Sequence, residues 1–594
     1  VSTAAVERET RQRPPAIVVV SIFVVLAFVE SFRDISRLRT FVAGDSGDSI
    51  LNLWIMRSVQ RGLPHGWHAL WDAPIFYPAK TTLAYSETLF PPAIVDWPLR
   101  VVFGDVMAYN LIYLASWVLA SWCMYRLALR FVQDWRAGFV AALAYTYSSI
   151  VLVHTGHFQL VVGSALLPLT VLALLNLLDD PSFVRGALLG VSFATLALSA
   201  SYYGAMSAVI IAIVAGGWLL TTRPKQMRRY VQAFAVAAVM VAVIAGPFAY
   251  EYVQLQRQPE FRRGFDASSA AHVGDFAATG SSNYLLTHLP VISSHSTANS
   301  RLIENRLFPG CVALIFGVMG LVVLIRRLRK TGWRTPPANT LALITLAGIA
   351  CVILAFGDRI VISHHKIPLP FAVFRHFIPG FSGIRATARL VLGGELALAL
   401  LAAVGVEKTL HTTKPSFRAP LTVALTIFVV AETAMGVTMV RVPTAGDDGG
   451  VARALRYDPK GVVLELPIAS AASGITWPYV EAPRQLEALR DGDPRINGYS
   501  GFQPKDFDQI AATLNTFPEQ GALNEARSLG VRYIVLRTEP IGTLTPSVLE
   551  PRVDKNGAGL YDDATARDII NRLPPGTARN VERVAGGYII DLGT

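Results

Sequence analysis

Apolar residues in this chain come in long unbroken runs. They do not show the two-residue alternation of a half-buried strand or the narrow stripe of a soluble amphipathic helix. A helix needs about 20 mostly apolar residues to cross a bilayer. Runs of that kind fall near 16–32, 107–128, 137–153, 160–178, 186–200, 204–221, 230–250, 309–325, 338–355, 388–405 and 419–440. The break inside 186–221 is placed at Ser201-Tyr202-Tyr203-Gly204, whose tyrosines suit a membrane interface. The pattern predicts an α-helical polytopic membrane protein with about eleven transmembrane helices, over 1–440. The first run follows Arg8, Arg11 and Arg13 and resembles a signal peptide. The next residues are Arg33-Asp34-Ile35-Ser36-Arg37 rather than a small-residue cleavage site, so it is read as a retained first helix.

From about 441 the character changes. Val462-Val463-Leu464-Glu465-Leu466 and Tyr533-Ile534-Val535-Leu536 read as buried strands, and 505–528 reads as a helix ending at Leu529-Gly530. Alternating strand and helix patterns predict a soluble α/β domain over 441–594, without a recognisable catalytic motif. A structural or acceptor-guiding cap is the expected role.

Charge sets the topology. Of 594 residues only 16% are charged, against about 25% in soluble proteins. The mean hydropathy is +0.42, so much of the surface faces lipid. The net charge of +11 comes from basic residues between apolar runs, which argues for membrane topology and against nucleic-acid binding. Arg126/Arg130/Arg136, Arg223/Lys225/Arg228/Arg229 and Arg326/Arg327/Arg329/Lys330 share a side with the N-terminal arginines. That side is expected to be the cytoplasm. The loops 33–106, 251–308 and 356–387 and the C-terminal domain then lie outside. The first loop holds Trp54, Trp67, Trp71 and Trp97, consistent with segments lying along the interface. Cys123, Cys311 and Cys351 sit inside apolar runs with no metal-ligand spacing. No Walker loop, GxSxG elbow, HExxH or CxxC is present.

One acidic stretch stands out, Gly44-Asp45-Ser46-Gly47-Asp48, just after the first run. With it come Asp48-Ser-Ile-Leu-Asn52-Leu-Trp54, Ile75-Phe-Tyr-Pro78, Tyr85-Ser-Glu87, Gly156-His157-Phe-Gln159-Leu, Leu307-Phe-Pro-Gly310, Arg385-Ala-Thr-Ala-Arg389 and Asn497-Gly-Tyr-Ser-Gly-Phe502. In that order, over nearly the whole chain, they resemble a bacterial subgroup of the GT-C superfamily, membrane glycosyltransferases that use polyprenyl-phosphate sugars. The resemblance implies a bacterial cytoplasmic (inner) membrane enzyme with its N-terminus in the cytoplasm. It would transfer a sugar from a polyprenyl-phosphate donor to an envelope glycan, lipid or protein, with inversion at the anomeric carbon. The rival is a non-enzymatic lipid-sugar carrier or flippase, or an assembly scaffold. A carrier would depend on polar residues inside its spans, and those are few.

The reaction needs a base for the acceptor hydroxyl and cations for the leaving phosphate. Asp48 matches the subgroup's acidic position and is the expected base, with Asn52 one helical turn on. Asp45 shares the role, holds a metal, or caps a helix, as Asp often does. Glu87 is the other acidic candidate of the loop, or an interface carboxylate satisfied by an arginine. His154 and His157, three apart, hold a divalent ion with Asp45 or Asp48, or bind phosphate or sugar directly, the second being the stronger expectation. Gln159 assists with sugar hydroxyls. Arg385 and Arg389, four apart and so expected on one helix face, form the lipid-phosphate clamp, or else snorkel at the interface. Arg375 and His376 are secondary candidates, and Glu304 and Arg306 either complete the site or pair with each other. No metal identity follows from the sequence.

Overall fold

The computed structural model describes residues 14–31, 35–261, 266–279, 283–286, 303–362, 365–378, 380–435, 437–443, 450–474, 476–539, 541 and 560–593. Arg8, Arg11 and Arg13, used above for topology, and Arg33 and Asp34, used for the retained first helix, lie outside the described residues. The chain is mostly helical and forms two compact units, each made of several stretches of sequence. One comprises 1–33, 113–250 and 262–436, the other 34–112, 251–261 and 437–594.

The first unit carries most of the apolar runs. Among the described residues eight helices are long and apolar enough to cross a membrane, and the protein is multi-pass. Ala16–Ser31 and Phe183–Ser199 are apolar but shorter. The run at 137–153 is broken instead of continuous. Trp135–Thr146 is a helix of 12 residues, and Ser149–Leu152 follows as a separate turn. The break in 186–221 falls at Ala200, whose extended backbone separates Phe183–Ser199 from Ser201–Thr222. The span starting at Thr387 is 89% buried, whereas the one starting at Met227 is 17% buried. The first is thus a hub and the second presents residues such as Val231, Val239 and Val243 outward. The hub helix Val391–Thr412 packs on Cys311–Thr331 and Ala338–Ala355. Two glycines permit the first contact. A Cβ on Gly320 would meet the Leu401 carbonyl oxygen at 1.8 Å, and one on Gly405 the Phe316 carbonyl oxygen at 2.0 Å. In lipid, where no hydrophobic force pulls helices together, such backbone approach is what packing can use.

The second unit joins the first loop to the C-terminal residues. Phe41–Ala43 pairs antiparallel with Met439–Arg441. The helix Asp48–Gly62 is buried from Ser49 to Gln60 and packs on the helix Thr476–Ala488. A four-stranded sheet runs in the order Val462–Leu466, Val531–Arg537, Gly587–Asp591, Asn580–Val584. The first pair is parallel and the other two are antiparallel. Its core includes Val451, Leu455, Val463, Tyr533, Val535 and Ile589. The single helix expected at 505–528 is two, Phe507–Leu514 and Gln520–Ser528, interrupted around Phe517-Pro518. Proline cannot donate the backbone bond that a continuous helix would require there.

The same unit buries an ion network. Arg495 reaches Glu465 at 3.0 Å and Asp491 at 2.6 Å. Arg537 reaches Glu465 at 2.7 Å and Glu487 at 2.8 Å, and Arg484 reaches Glu481 at 3.2 Å. Burial opposes the ionisation of Glu465, but the Arg537, Arg495 and Arg484 guanidiniums hold it well below the usual carboxylate range. Burial outweighs the single arginine at Glu481 and pushes it up to about 7.

Candidate active site

Two groups of candidate residues form, one in each unit. In the second unit, Asp48 opens the helix Asp48–Gly62 from its first turn, where a carboxylate is favoured by the helix dipole. Asp45 does the capping. Its Oδ1 accepts from the Gly47 amide at 2.8 Å and the Asp48 amide at 2.9 Å. Asp48 Oδ1 accepts from the Tyr499 hydroxyl at 2.7 Å. Tyr499 is edge-on to Trp477, with ring centroids 5.0 Å apart. Asn52, one turn after Asp48, is buried, and its Nδ2 has no hydrogen-bond partner among the described residues. The arrangement is a carboxylate at a helix N-terminus, held by a phenol, beside an unused amide donor and an aromatic pair. It can orient a hydroxyl and take its proton. Glu87 is half-buried in the turn after Thr82–Tyr85, next to Ser86, whose carbonyl accepts from the Tyr252 hydroxyl at 2.7 Å.

Two motifs that the sequence quoted apart explain how Tyr499 gets there. The Phe76 amide donates to the Asn497 carbonyl at 3.1 Å and the Tyr77 amide to the Arg495 carbonyl at 2.9 Å, so Ile75–Pro78 runs along the Asn497 segment. Asn497 in turn accepts from the Glu465 amide and donates to its carbonyl, both at 2.8 Å. A Cβ on Gly498 would come within 3.0 Å of Ile75 and Phe76. Neither Tyr499 nor Trp477 was singled out from sequence. The one available signal was that Tyr499 sits inside the Asn497–Phe502 motif.

In the first unit, His154, His157 and Glu304 come together. His154 Nε2 lies 3.4 Å from Glu304 Oε2, and its Nδ1 lies 3.3 Å from His157 Nδ1. Arg389 grips Glu304 with Nη2 at 2.5 Å and Nε at 3.0 Å, and lies over the Tyr202 ring at 4.8 Å. Burial pushes the His154 imidazole down to about 3, against the pull of Glu304. Burial works against ionisation of Glu304, yet Arg389 and His154 hold it well below the usual range. A neutral His154 has one N–H. Facing a carboxylate, that N–H sits on Nε2, which leaves Nδ1 to accept from His157.

Each of His154, His157 and Glu304 offers one atom to a common point, all within 4.8 Å. The short contacts, however, use opposite nitrogens of His154, and Glu304 is already forked by Arg389. The set therefore fits a hydrogen-bonded chain better than a resident ion, whose ligands would each turn one lone pair inward. Asp45 and Asp48, expected to share an ion with these histidines, belong to the other unit.

The arginines depart from expectation. Arg385 and Arg389 do not share a helix face. Arg385 precedes the 3-10 turn Thr387–Leu390, and the α-helix starts only at Val391. The Arg385 side chain is exposed, while its amide donates to the Tyr202 hydroxyl at 3.3 Å. Arg375 is taken by Asp358 at 2.9 Å, and His376 stacks edge-on with Phe377. Glu304 pairs with Arg389 rather than with Arg306. Arg306 is 9% exposed, and its buried Nε has no partner among the described residues. Burial lowers its pKa. Nearby, Gln159 Oε1 is a buried acceptor with no partner among the described residues.

A family model described as "Domain of unknown function (DUF6311)" matches residues 15–432. No curated protein matches the sequence. Among solved structures, the arabinofuranosyltransferase AftD from Mycobacteria is similar with a TM-score of 0.59 at 16% identity, over 97% of this chain. This chain spans 40% of AftD's length. The Archaeoglobus fulgidus oligosaccharyltransferase is similar with a TM-score of 0.51 at 14% identity, over 88% of this chain and 69% of that one. Both are GT-C glycosyltransferases, and the fold here is theirs.

Proposed function

The chain belongs to the family described as a domain of unknown function (DUF6311), and from that starting point we propose that it is a membrane glycosyltransferase using a polyprenyl-phosphate sugar. The acceptor is an envelope glycan, lipid or protein on the outer side of a bacterial inner membrane. In this reading about eleven helices cross, the N-terminus is cytoplasmic, and 441–594 form an extracytoplasmic α/β domain.

The acceptor hydroxyl attacks the anomeric carbon, and the bond from that carbon to the phosphate oxygen breaks. Polyprenyl phosphate leaves, and the hydroxyl proton passes to Asp48, whose second-unit partner Tyr499 fixes the carboxylate. Inversion follows from a single displacement. Asp45 shapes the helix start, and Glu87 is a second acidic candidate. Arg306 takes the leaving phosphate, with Arg385 as a further cation. The observation that carries this reading is Arg306, a guanidinium buried to 9% exposure with no carboxylate among the described residues. A buried charge that no described carboxylate neutralises is too costly to keep idle, and a phosphate monoanion or dianion is the matching ligand. His157 presents a hydrogen bond to phosphate or sugar, His154, Glu304 and Arg389 hold it in place, and Gln159 offers a hydroxyl its Oε1, which has no partner among the described residues.

The test is release of polyprenyl phosphate from a panel of lipid-linked sugars by purified protein in nanodiscs. Asp48→Asn is expected to cost about 10²–10⁴-fold, the usual contribution of a general base. A second reading, a lipid-sugar carrier, is favoured by Glu395. It is buried inside the span Val391–Thr412, and its Oε1 has no partner among the described residues. If no donor turns over while labelled lipid-sugar crosses the bilayer, the carrier reading replaces the transferase one.

A further inference from the structure

The second unit contains a cavity of about 790 Å³ that lies away from Asp48. Its polar wall is made by Arg39, Arg57, Arg61, Arg100 and Arg490. Arg57 and Arg61 stand on the same helix as Asp48, nine and thirteen residues on, so roughly 13–20 Å along its axis.

The carboxylates do not match these cations. Arg57 is consumed by Asp96, to which it donates, and by Asp105 at 3.0 Å. Arg100 shares Asp105 at 3.7 Å. Among the described residues the Arg61 side chain has only the Leu489 carbonyl, at 2.7 Å, and the Arg490 side chain only the Pro443 carbonyl, at 2.6 Å. Arg490 Nη1 is buried with no partner among the described residues. Arg39, Arg61 and Arg490 make no ion pair among the described residues. Five guanidiniums thus face two carboxylates, a surplus of three positive charges around one space.

Apart from Gln60 and Asp105 the rest of the wall is apolar, and its position says what comes near it. Val102 and Phe103 line the cavity and end the helix Phe90–Phe103. Gly104, Asp105 and Val106, where the membrane span Asp105–Ala128 begins, line it too. Along Phe90–Phe103, Val95, Val101, Val102 and Phe103 are exposed, at 59%, 77%, 72% and 49%, while Ala93 and Asp96 are buried. That is the pattern of a helix lying in the bilayer interface. The cavity mouth is therefore at the depth of lipid headgroups, with an apolar rim beside a cationic interior.

We propose that this cavity binds the phosphate of an anionic lipid headgroup, with the acyl chains leaving over Val101, Val102 and Phe103. Guanidiniums fork phosphate oxygens, and a volume of this size holds one headgroup. A zwitterionic headgroup would bring its own ammonium into the surplus positive charge and is disfavoured. This inference does not depend on glycosyl transfer.

The test uses the full chain in detergent, titrated with phosphatidylglycerol, phosphatidylcholine or inorganic phosphate and read by native mass spectrometry. We expect one phosphatidylglycerol per chain, held at least tenfold more tightly than phosphatidylcholine. We expect the triple variant Arg39→Gln/Arg61→Gln/Arg490→Gln to weaken it at least tenfold. Asp48→Asn should leave it unchanged, which separates this site from the transfer reaction. Equal retention of the two lipids overturns the proposal. So does unchanged binding by a triple variant that melts like wild type. Inorganic phosphate that displaces the lipid at equal concentration overturns the lipid assignment in favour of a soluble anion. If the triple variant does not fold, the selectivity of the wild type between the two lipids decides alone, supported by a triple Lys variant that is expected to bind within a few-fold of wild type.

Discussion

Buried arginines beneath the C-terminal sheet and buried arginines beside His154 differ in their counter-charges. Under the sheet, Arg484, Arg495 and Arg537 meet Glu465, Glu487 and Asp491 as acids, with Glu481 pushed up to about 7 by burial and so only partly ionised at neutral pH. Three cations face about three anions, and the network closes on itself. Beside His154, the imidazole is neutral, Glu304 is spent on Arg389, and Arg306 is left over. A closed network holds a fold together, and an open one is a place for a ligand. The same residue type, buried in both, therefore has different work in the two regions, and counting counter-charges tells them apart.

The largest effect is expected where the network is closed. Glu465→Leu leaves Arg495 with Asp491 alone and Arg537 with Glu487 alone, so the buried cations outnumber the anions, and removing one partner from a buried ion pair costs about 3–5 kcal/mol. Chemical denaturation of the purified protein measures it. A loss below about 1 kcal/mol would mean that the network is not what holds the sheet, and the comparison would break.

The open cluster is expected to behave in the reverse way. Arg306→Leu removes a buried charge with no carboxylate among the described residues, so the melting temperature should hold or rise. Turnover of the lipid-linked donor should fall about 10–100-fold, the value of one charge-assisted hydrogen bond set. Thermal melting and turnover on the same preparation separate the two. A variant that loses stability but not turnover would make Arg306 a structural arginine, and the proposed phosphate role would go.

Much of the membrane part was legible because lipid imposes a length and a composition on each span. The helices found at Cys311–Thr331 and Ala338–Ala355 sit where the apolar runs at 309–325 and 338–355 put them. The run at 137–153 misled because a helix inside a protein bundle can stop short without any change in hydropathy, and Thr146 to Ser149 does so. Asp48 was legible as an acid at a helix start. Its partner Tyr499 was not, because 451 residues separate them and only the pairing of Ile75–Pro78 with the Asn497 segment brings them together. Arg385 and Arg389 misled because a spacing of four means one face only if the helix has begun, and here it begins at Val391. Arg306 looked like an ordinary partner for Glu304. That it meets no carboxylate among the described residues follows from the three-dimensional packing, which spacing does not carry.

A last effect sharpens the comparison through pH, because His154 in one region and Glu481 in the other change stability with pH in opposite directions. His154 has a folded pKa of about 3, below its ordinary 6.5. Between these values the unfolded chain binds a proton that the folded chain refuses, so stability rises with pH through that window and is lost as pH falls through it. Glu481 has a folded pKa of about 7, above its ordinary 4.5. Here the folded chain keeps a proton that the unfolded chain gives up, so its contribution is full below about 4.5 and is lost as pH rises through 7. Glu481→Gln removes the second titration only. Relative to wild type, the variant should be within about 1 kcal/mol at pH 5 and more stable at pH 8 by roughly 3 kcal/mol, since about 2.5 pKa units separate 4.5 from 7 and each is about 1.4 kcal/mol. Denaturation curves at the two pH values read the difference directly. Equal curves at pH 8 would show that Arg484 and Asn497 already neutralise the carboxylate, and the network would then hold one more anion than the closed count allows.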